Sequence, residues 1–306
     1  MSNVTSLVLV SIGNTRSRVA VARGPGGEFG SATIEPSVVV ENAVAGGLEG
    51  AVRDAAAGVE GALSHVLVAS VNDAALPRIS AGLAGMNDFA ITRLGNGNHG
   101  TVRVPVVLDL EGSQGGKGGP GLTVGVDRLL CALAASQRSG GSPCAVIDAG
   151  TCVTVDYVDA HGVFQGGAIG PGVALMLRSM HGGTSALPVV NPPRKGDDTS
   201  WMTGEPVQGA LGKTTTQAMT LGTINAVRGL VRWQVERFAE IGGRYPRVIA
   251  TGGDAPLLFE GDDLVEHVVP DLQLVGMVAA WAVLHGSEPA ANSDQPEEDA
   301  GDADEE

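Results

Sequence analysis

The stretch LVLVSIGNTRSRVAVARG, residues 7–24, consists of two apolar runs separated by a Gly-Asn-Thr turn. This pattern predicts a β-hairpin with strands at 5–10 and 17–23. Gly13 lets the backbone come close to a ligand, and successive N–H groups in such a turn form a concavity that binds anions. The opening hairpin is therefore a candidate phosphate-binding turn.

Residues 144–158, CAVIDAGTCVTVDYV, repeat the layout of this hairpin. In both stretches an apolar strand ends in a small polar turn with glycine and threonine, and another strand follows. One such turn is also typical of an ordinary hairpin. Two copies, separated by mixed strand and helix patterns, predict two related domains that face each other. The second copy has Asp148 where the first has Ser11, and its Gly150 and Thr151 suit phosphate binding.

A third glycine turn, TGGDA at 251–255, follows a predicted strand and precedes a predicted helix. Backbone N–H groups at a helix start are suited to a nucleotide or its phosphates. Gly252 and Gly253 are therefore candidate nucleotide contacts, and this turn strengthens the interpretation of the two hairpins.

The stretch GKTTT at 212–216 resembles part of a P-loop. That motif needs a glycine five positions earlier, where this chain has Val207, so a Walker A site is excluded. Thr215 then either faces a ligand or simply caps the helix that begins here.

The stretch GVDRLL at 125–130 places Asp127 and Arg128 near a predicted helix start. Asp127 is either a favourable partner of the helix dipole or a general base that accepts a hydroxyl proton. Arg128 has the paired N–H groups that hold a carboxylate or a phosphate. Asp148 is a candidate cation ligand.

Composition narrows the class of protein. The net charge is −15, and residues 287–306 carry nine acidic and no basic side chains, which leaves −6 for the rest. We expect this acidic tail to be disordered and no nucleic acid to bind. Three cysteines without Cys-x-x-Cys spacing indicate reduced thiols and a cytoplasmic protein, and no signal peptide or membrane span is expected.

The remaining patterns predict an alternation of strands and helices. Apolar spacing favours helices at 38–60, 74–85, 126–138, 212–240 and 272–285, strands at 65–71, 89–95 and 247–251, and a glycine-rich turn running into a helix over 166–188. Residues 111–121 form a glycine-rich loop. We expect one domain at 1–122, a second at 123–286 and the acidic tail at 287–306.

Taken together, these segments resemble the type III pantothenate kinase family, part of the superfamily that includes actin, hexokinase and the heat-shock chaperone ATPases. The similarity keeps the order of the family's motifs over nearly all of residues 6–285. The matching segments are SIGNT at 11–15, VASV at 68–71, GVDR at 125–128, DAGTCVTVD at 148–156, GGAIGPGVALMLRSM at 166–180, GKTT at 212–215 and ATGGDA at 250–255.

The resemblance implies an α/β protein with two related domains of the actin/hexokinase-like ATPase type and a nucleotide cleft between them. It implies that ATP, with Mg²⁺, phosphorylates the hydroxyl of pantothenate to give 4'-phosphopantothenate, the first step of coenzyme A biosynthesis. A monovalent cation, K⁺ or NH₄⁺, is required in this family, and the active enzyme is a homodimer.

The resemblance also assigns roles to residues of this chain. Asp127 would be the catalytic base, Asp148 would bind the monovalent cation, and Gly125, Arg128 and Thr215 would contact pantothenate together with Asp127. The expected ATP-binding residues are Ser11, Gly13, Asn14, Thr15, Gly150, Thr151, Gly252 and Gly253.

Two positions depart from the family pattern. Ser11 replaces an aspartate that helps to place Mg²⁺ on ATP, and the loss of such a contact would cost about 2.7–4 kcal/mol of transition-state stabilisation. The loop before GVDR lacks the family's tyrosine and proline. Two alternatives therefore stay open: a catalytically impaired, nucleotide-binding regulatory homologue, and a kinase for another small hydroxy-acid.

Overall fold

The computed structural model describes residues 6–24, 29–59, 64–86, 89–95, 97, 100–108, 124–193, 197 and 211–286. The glycine-rich loop at 111–121, the predicted domain boundary at 122/123 and the acidic tail lie outside these residues. Among the described helices, none has the length and apolar character that crossing a membrane requires.

The first sheet is built around the opening hairpin. Its strands are β1 (Ser6–Ile12), β2 (Arg16–Arg23), β3 (Thr33–Ile34), β4 (Val38–Glu41), β5 (Ser64–Ser70), β6 (Ala90–Gly95) and β7 (Val102–Arg103). They lie in the order β3-β2-β1-β5-β6-β7, with β4 also paired to β2. The accompanying helices are α1 (Gly47–Ala57), a 3₁₀ turn (Asp73–Ala75), α2 (Pro77–Gly82) and α3 (Val126–Ser139).

The second sheet is built around the second hairpin. Its strands are β8 (Val107–Leu108), β9 (Cys144–Ala149), β10 (Cys152–Val158), β11 (Val163–Pro171), β12 (Arg247–Thr251) and β13 (His267–Val268), in the order β13-β12-β9-β10-β11-β8. Its helices are α4 (Val173–Gly183), α5 (Thr215–Gly242), α6 (Ala255–Phe259) and α7 (Leu272–His285).

Both sheets follow the same path. An antiparallel hairpin, β1–β2 or β9–β10, comes first. After one or more helices, the chain adds a strand parallel to the first hairpin strand, which is β5 beside β1 and β12 beside β9. A second helix and a further parallel strand follow, β6 or β13. This duplicated topology confirms the prediction of two related α/β domains.

The core sits in layers on both faces of each sheet, because successive residues of a strand point to opposite faces. In β1, Leu7 and Leu9 belong to the cluster that contains α3 and α7, whereas Val8 and Val10 pack towards α1 and α2. The cluster around α3 and α7 also takes residues from β9 and β12. These two helices are therefore packed between the sheets.

The contact between α3 and α7 is close enough to require glycine. A Cβ atom on Gly276 would lie 2.0 Å from the carbonyl oxygen of Leu130. Asp271, directly before α7, pairs with Arg18 near the turn of the first hairpin. Asp127, in the first turn of α3, lies near Asp148 beside the turn of the second hairpin. Both helices therefore begin at the end of the molecule that holds the two turns.

Two predicted elements were wrong in part. Residues 38–41 form strand β4 and not the start of a helix, because Val38 and its valine neighbours pair with β2. The glycine run at 166–170 lies in strand β11. A Cβ atom on Gly167 would lie 2.1 Å from the Val155 carbonyl oxygen of β10, and one on Gly170 would lie 2.8 Å from the Leu230 side chain of α5. These two glycines therefore permit close packing around the strand and do not form a turn.

Candidate functional site

The turns of the two hairpins meet. The hydroxyl oxygens of Thr15 and Thr151 lie 2.9 Å apart, although 136 residues separate them in the chain. Each turn is closed by a backbone bond: Gly13 N–H donates to the Arg16 carbonyl at 3.0 Å, and Gly150 N–H donates to that of Cys152 at 2.9 Å. The structure thus brings the two predicted phosphate turns together across the interface between the sheets.

Asn42 fixes the shape of the first turn. Its Nδ2 donates to the Gly13 carbonyl at 2.7 Å, and its backbone N–H donates to that of Thr15 at 2.9 Å. Its Oδ1 accepts the hydroxyl proton of Ser17 at 2.6 Å. Asn42 was not predicted as a site residue, because it follows β4, a strand whose residues had a helical pattern.

The third glycine turn packs directly against the second hairpin. Gly252 has a φ of +96°, and a Cβ atom there would lie 2.5 Å from Asp148 Oδ1. The N–H of Asp254 donates to the Ala149 carbonyl at 3.0 Å. Arg16 Nη1 lies 3.6 Å from where a Cβ on Gly253 would be, so all three glycine turns converge on one region.

Three aspartates lie close to one another near these turns. Asp148 ends β9, Asp127 is in the first turn of α3, and Asp156 lies on β10. Burial, followed by the nearby Asp127 carboxylate, raises the pKa of Asp148 to about 6, although Arg18 partly opposes the shift. The two predicted catalytic and cation-binding carboxylates are thus close enough to interact.

The α3 start shapes the position of Asp127. Its carboxylate accepts the backbone N–H of Arg128 at 2.8 Å. Gly125 is the N-cap residue, and a Cβ there would lie 2.4 Å from Asp127 Oδ1. Glycine at 125 therefore leaves the room that the carboxylate occupies.

Arg128 is held by a residue that the sequence analysis did not single out. Its Nε lies 3.1 Å from both carboxylate oxygens of Asp156, and its Nη2 also donates to that group. Its guanidinium carbon lies 5.5 Å from the centre of the Phe164 ring. Asp156 is only 2% exposed. Strand alternation with Thr154, which lies opposite Asp148, was the signal that could have found it.

The turn end of the first sheet is tied to the start of α7. Ser11 Oγ donates to Gln273 Oε1 at 2.7 Å. Arg18, the cross-strand neighbour of Ser11, pairs with Asp271, which also accepts the Ser37 hydroxyl at 2.5 Å. No short motif marks Asp271 or Gln273 in the sequence, because their partners lie more than 230 residues away.

Thr215 is the first residue of α5 and is exposed, but the helix is capped by its neighbour. Thr214 Oγ1 accepts the backbone N–H of Gln217 at 3.2 Å. Beside this helix start, a mostly apolar cavity of about 350 Å³ lies between α4 and α5, with Met176 and Met219 in its lining. None of the predicted site residues, Thr215 included, lines this cavity.

The comparisons with known proteins point to one family. The family model described as Type III pantothenate kinase matches residues 7–237. The Type III pantothenate kinase of Acidiphilium cryptum is 40% identical over 154 residues, which cover 50% of this chain and 53% of that protein. The protein of the same name from Rhodospirillum rubrum is 41% identical over 155 residues, covering 51% and 55%.

A solved structure shows the same fold. It is a Sinorhizobium meliloti protein proposed to be a 2-dehydro-3-deoxygalactonokinase, with a TM-score of 0.50 and 13% identity over 92% of this chain and 100% of that one. The chain spans about half the length of the curated relatives that it matches. Because the family model covers well over half of its residues, the chain belongs to the type III pantothenate kinase family.

Proposed function

We propose that this protein is a pantothenate kinase, which transfers the γ-phosphoryl group of ATP to pantothenate and releases 4'-phosphopantothenate and ADP. The observation that carries the proposal is the contact of the two hairpin turns, Thr15 to Thr151 at 2.9 Å, beside Asp127 and Asp148. Phosphoryl transfer depends mainly on positioning and charge stabilisation, and this arrangement supplies both.

Each part has a role in the proposed reaction. The backbone N–H groups and hydroxyls of the three glycine turns would hold the ATP phosphates. Asp127 would accept the proton of the pantothenate hydroxyl as its oxygen bonds to the γ-phosphorus and the bond to ADP breaks. Arg128 donates to Asp156 through Nε and Nη2, and its Nη1 would bind the pantothenate carboxylate. Gly125 and Thr215 would contribute further pantothenate contacts.

The residues present fit Mg²⁺ carried on ATP. Mg²⁺ prefers oxygen ligands, keeps several waters and is commonly held by one or two carboxylates together with phosphates. Asp148, Ser11 and the two threonines offer such oxygens near the turns. No group of three metal-ligating side chains occurs among the described residues, in keeping with a metal that arrives with the nucleotide. When bound, Mg²⁺ would neutralise charge that develops on the phosphates.

The cation, the assembly and the compartment belong to the same proposal. Asp148 would hold K⁺ or NH₄⁺. The assembly would be a homodimer, as the resemblance to the family implies. Cys131 and Cys144 are buried and Cys152 is exposed, and none of the three is paired, which suits a reducing cytoplasm.

A coupled ADP assay on the full chain tests the function. We expect ADP formation that depends on pantothenate and Mg²⁺ and is faster with K⁺ or NH₄⁺ than with Na⁺. The Asp127→Asn variant should lose this activity, whereas Asp54→Asn, an exposed aspartate in the last turn of α1, should keep it. Absence of pantothenate-dependent turnover with every cation would refute the proposal.

A further inference from the structure

The hydroxyl of Ser11 has its single proton committed to another side chain. Ser11 is 4% exposed, and its Oγ donates to Gln273 Oε1 at 2.7 Å. A serine hydroxyl has one donor proton and two acceptor lone pairs. While this bond is in place, Ser11 can therefore act towards the cleft only as an acceptor, as an ionised carboxylate does.

The start of α7, which carries Gln273, is anchored to the first sheet. It lies in the first turn of α7, and Asp271 anchors the start of that helix to Arg18 of β2 and to the Ser37 hydroxyl. Arg18, which is the cross-strand neighbour of Ser11, is engaged by Asp271. Among the described residues, Gln273 is the side chain that accepts the Ser11 hydroxyl proton.

The location of Ser11 gives this acceptor a use. It lies two residues before Gly13, at the end of β1, and it matches the position of Asp148 at the end of β9 in the duplicated topology. Mg²⁺-bound waters are hydrogen-bond donors that need acceptors around them. The two strand ends thus present one neutral acceptor and one anionic acceptor beside the phosphate turns.

We propose that Gln273 is a positioning residue that orients the Ser11 hydroxyl as an acceptor for a water on nucleotide-bound Mg²⁺. The inference rests on the proposed function, since it assumes that MgATP binds at these turns. It explains how a chain without a carboxylate at position 11 retains a directed contact to the hydrated metal ion.

The variants that test the proposal differ in whether residue 273 can accept the Ser11 hydroxyl proton. Gln273→Met removes the acceptor and frees the hydroxyl to donate, which should reduce the tightening of ATP binding by Mg²⁺ about threefold to tenfold, the range expected for one lost hydrogen bond. Gln273→Glu keeps the acceptor and should keep the tightening. Gln165→Met is the matched control, because Gln165 is exposed and its hydrogen bond goes to Asp159, in the connection between β10 and β11.

Isothermal titration calorimetry of the full chain with a non-hydrolysable ATP analogue, with Mg²⁺ and with EDTA, measures this tightening. Ser11→Ala should lower it as Gln273→Met does, and the double variant should lose no more than either single one. Thermal unfolding of each variant shows whether it is folded.

A Gln273→Met protein that is folded and responds to Mg²⁺ as the wild type does would overturn the proposal. Loss of tightening in Gln273→Glu equal to that in Gln273→Met would also overturn it. The titration needs no pantothenate. It therefore tests the role of Gln273 even if the protein does not phosphorylate pantothenate.

Discussion

At the scale of single residues, Asp148 links the stability of the fold to the chemistry of the cleft. Its pKa is about 6 in the folded protein, against an ordinary value of 3.8. Between these values the folded state binds more protons than the unfolded state, so this group lowers the free energy of unfolding as the pH rises from about 4 to about 6.

Asp148→Asn should therefore stabilise the protein at pH 7 by up to about 3 kcal/mol while abolishing the proposed activity. Urea unfolding at pH 7 and at pH 4 measures the gain. The gain should largely vanish at pH 4, because Asp148 is then protonated in the folded state and the unfolded state, close to its own pKa of 3.8, gains little from losing the proton. An equal gain at both values would show that the charge of Asp148 is not its cause.

Ser11 provides the second prediction at this scale. Ser11→Asp should raise kcat/KM at saturating Mg²⁺ about tenfold or more, because a carboxylate adds charge where serine offers only a neutral acceptor. Ser11→Asn is the control, since it has the size of aspartate without the charge. Steady-state kinetics of both variants would contradict the prediction if their values were the same.

At the scale of elements, the close packing of α3 against α7 determines whether a glycine in α7 can be replaced by a larger residue. A methyl group on Gly276 would lie 2.0 Å from the Leu130 carbonyl oxygen, whereas one on Gly229 of α5 would meet no atom within 4 Å. Alanine normally stabilises a helix interior relative to glycine by about 0.5–1 kcal/mol.

We therefore expect opposite signs for the same substitution. Gly229→Ala should raise the free energy of unfolding by about 0.5–1 kcal/mol, and Gly276→Ala should lower it by about 1–3 kcal/mol, because the helices must move apart. Chemical denaturation of both variants compares them directly. Stabilisation by Gly276→Ala would mean that the two helices are not in this close contact.

The elements also show what can be predicted from sequence. The final helix was predicted at 272–285 and lies there. Its sequence is almost continuously apolar, because residues on most of its faces are buried. β4 was missed because its pairing partner β2 lies outside any local window. The glycines of β11 resembled a turn because the neighbours that require them, β10 at Gly167 and Leu230 of α5 at Gly170, are tertiary contacts.

The site divides in the same way. The glycine turns and Asp127 were predictable, because phosphate-binding turns and helix starts have local signatures. Asn42, Asp156 and Gln273 were not, since each acts through hydrogen-bonded partners that lie at least 25 residues away in the chain. Sequence spacing identified the side chains proposed to touch ligands, and the structure was needed for those that hold them in place.

At the scale of the whole molecule, nucleotide binding should stabilise both sheets at once, because the phosphate turns belong to different sheets. MgATP at about 100 times its dissociation constant should raise the free energy of unfolding by about 2.7 kcal/mol. Differential scanning fluorimetry across ATP concentrations measures the shift. Asp127→Asn should retain it, because Asp127 is proposed to act on the acceptor; a wild-type protein without any shift would contradict nucleotide binding at the turns.

The hydroxyl contact between Thr15 and Thr151 has a kinetic consequence. Because the two hydroxyls are in direct hydrogen-bond contact, no phosphate group fits between them. The two hairpin turns must therefore move apart before ATP binds there. The observed loading rate in stopped-flow mixing should then level off at high ATP concentration, at the rate of parting, instead of rising in proportion. Thr15→Val, which removes one hydroxyl and keeps the shape of the side chain, should raise that plateau.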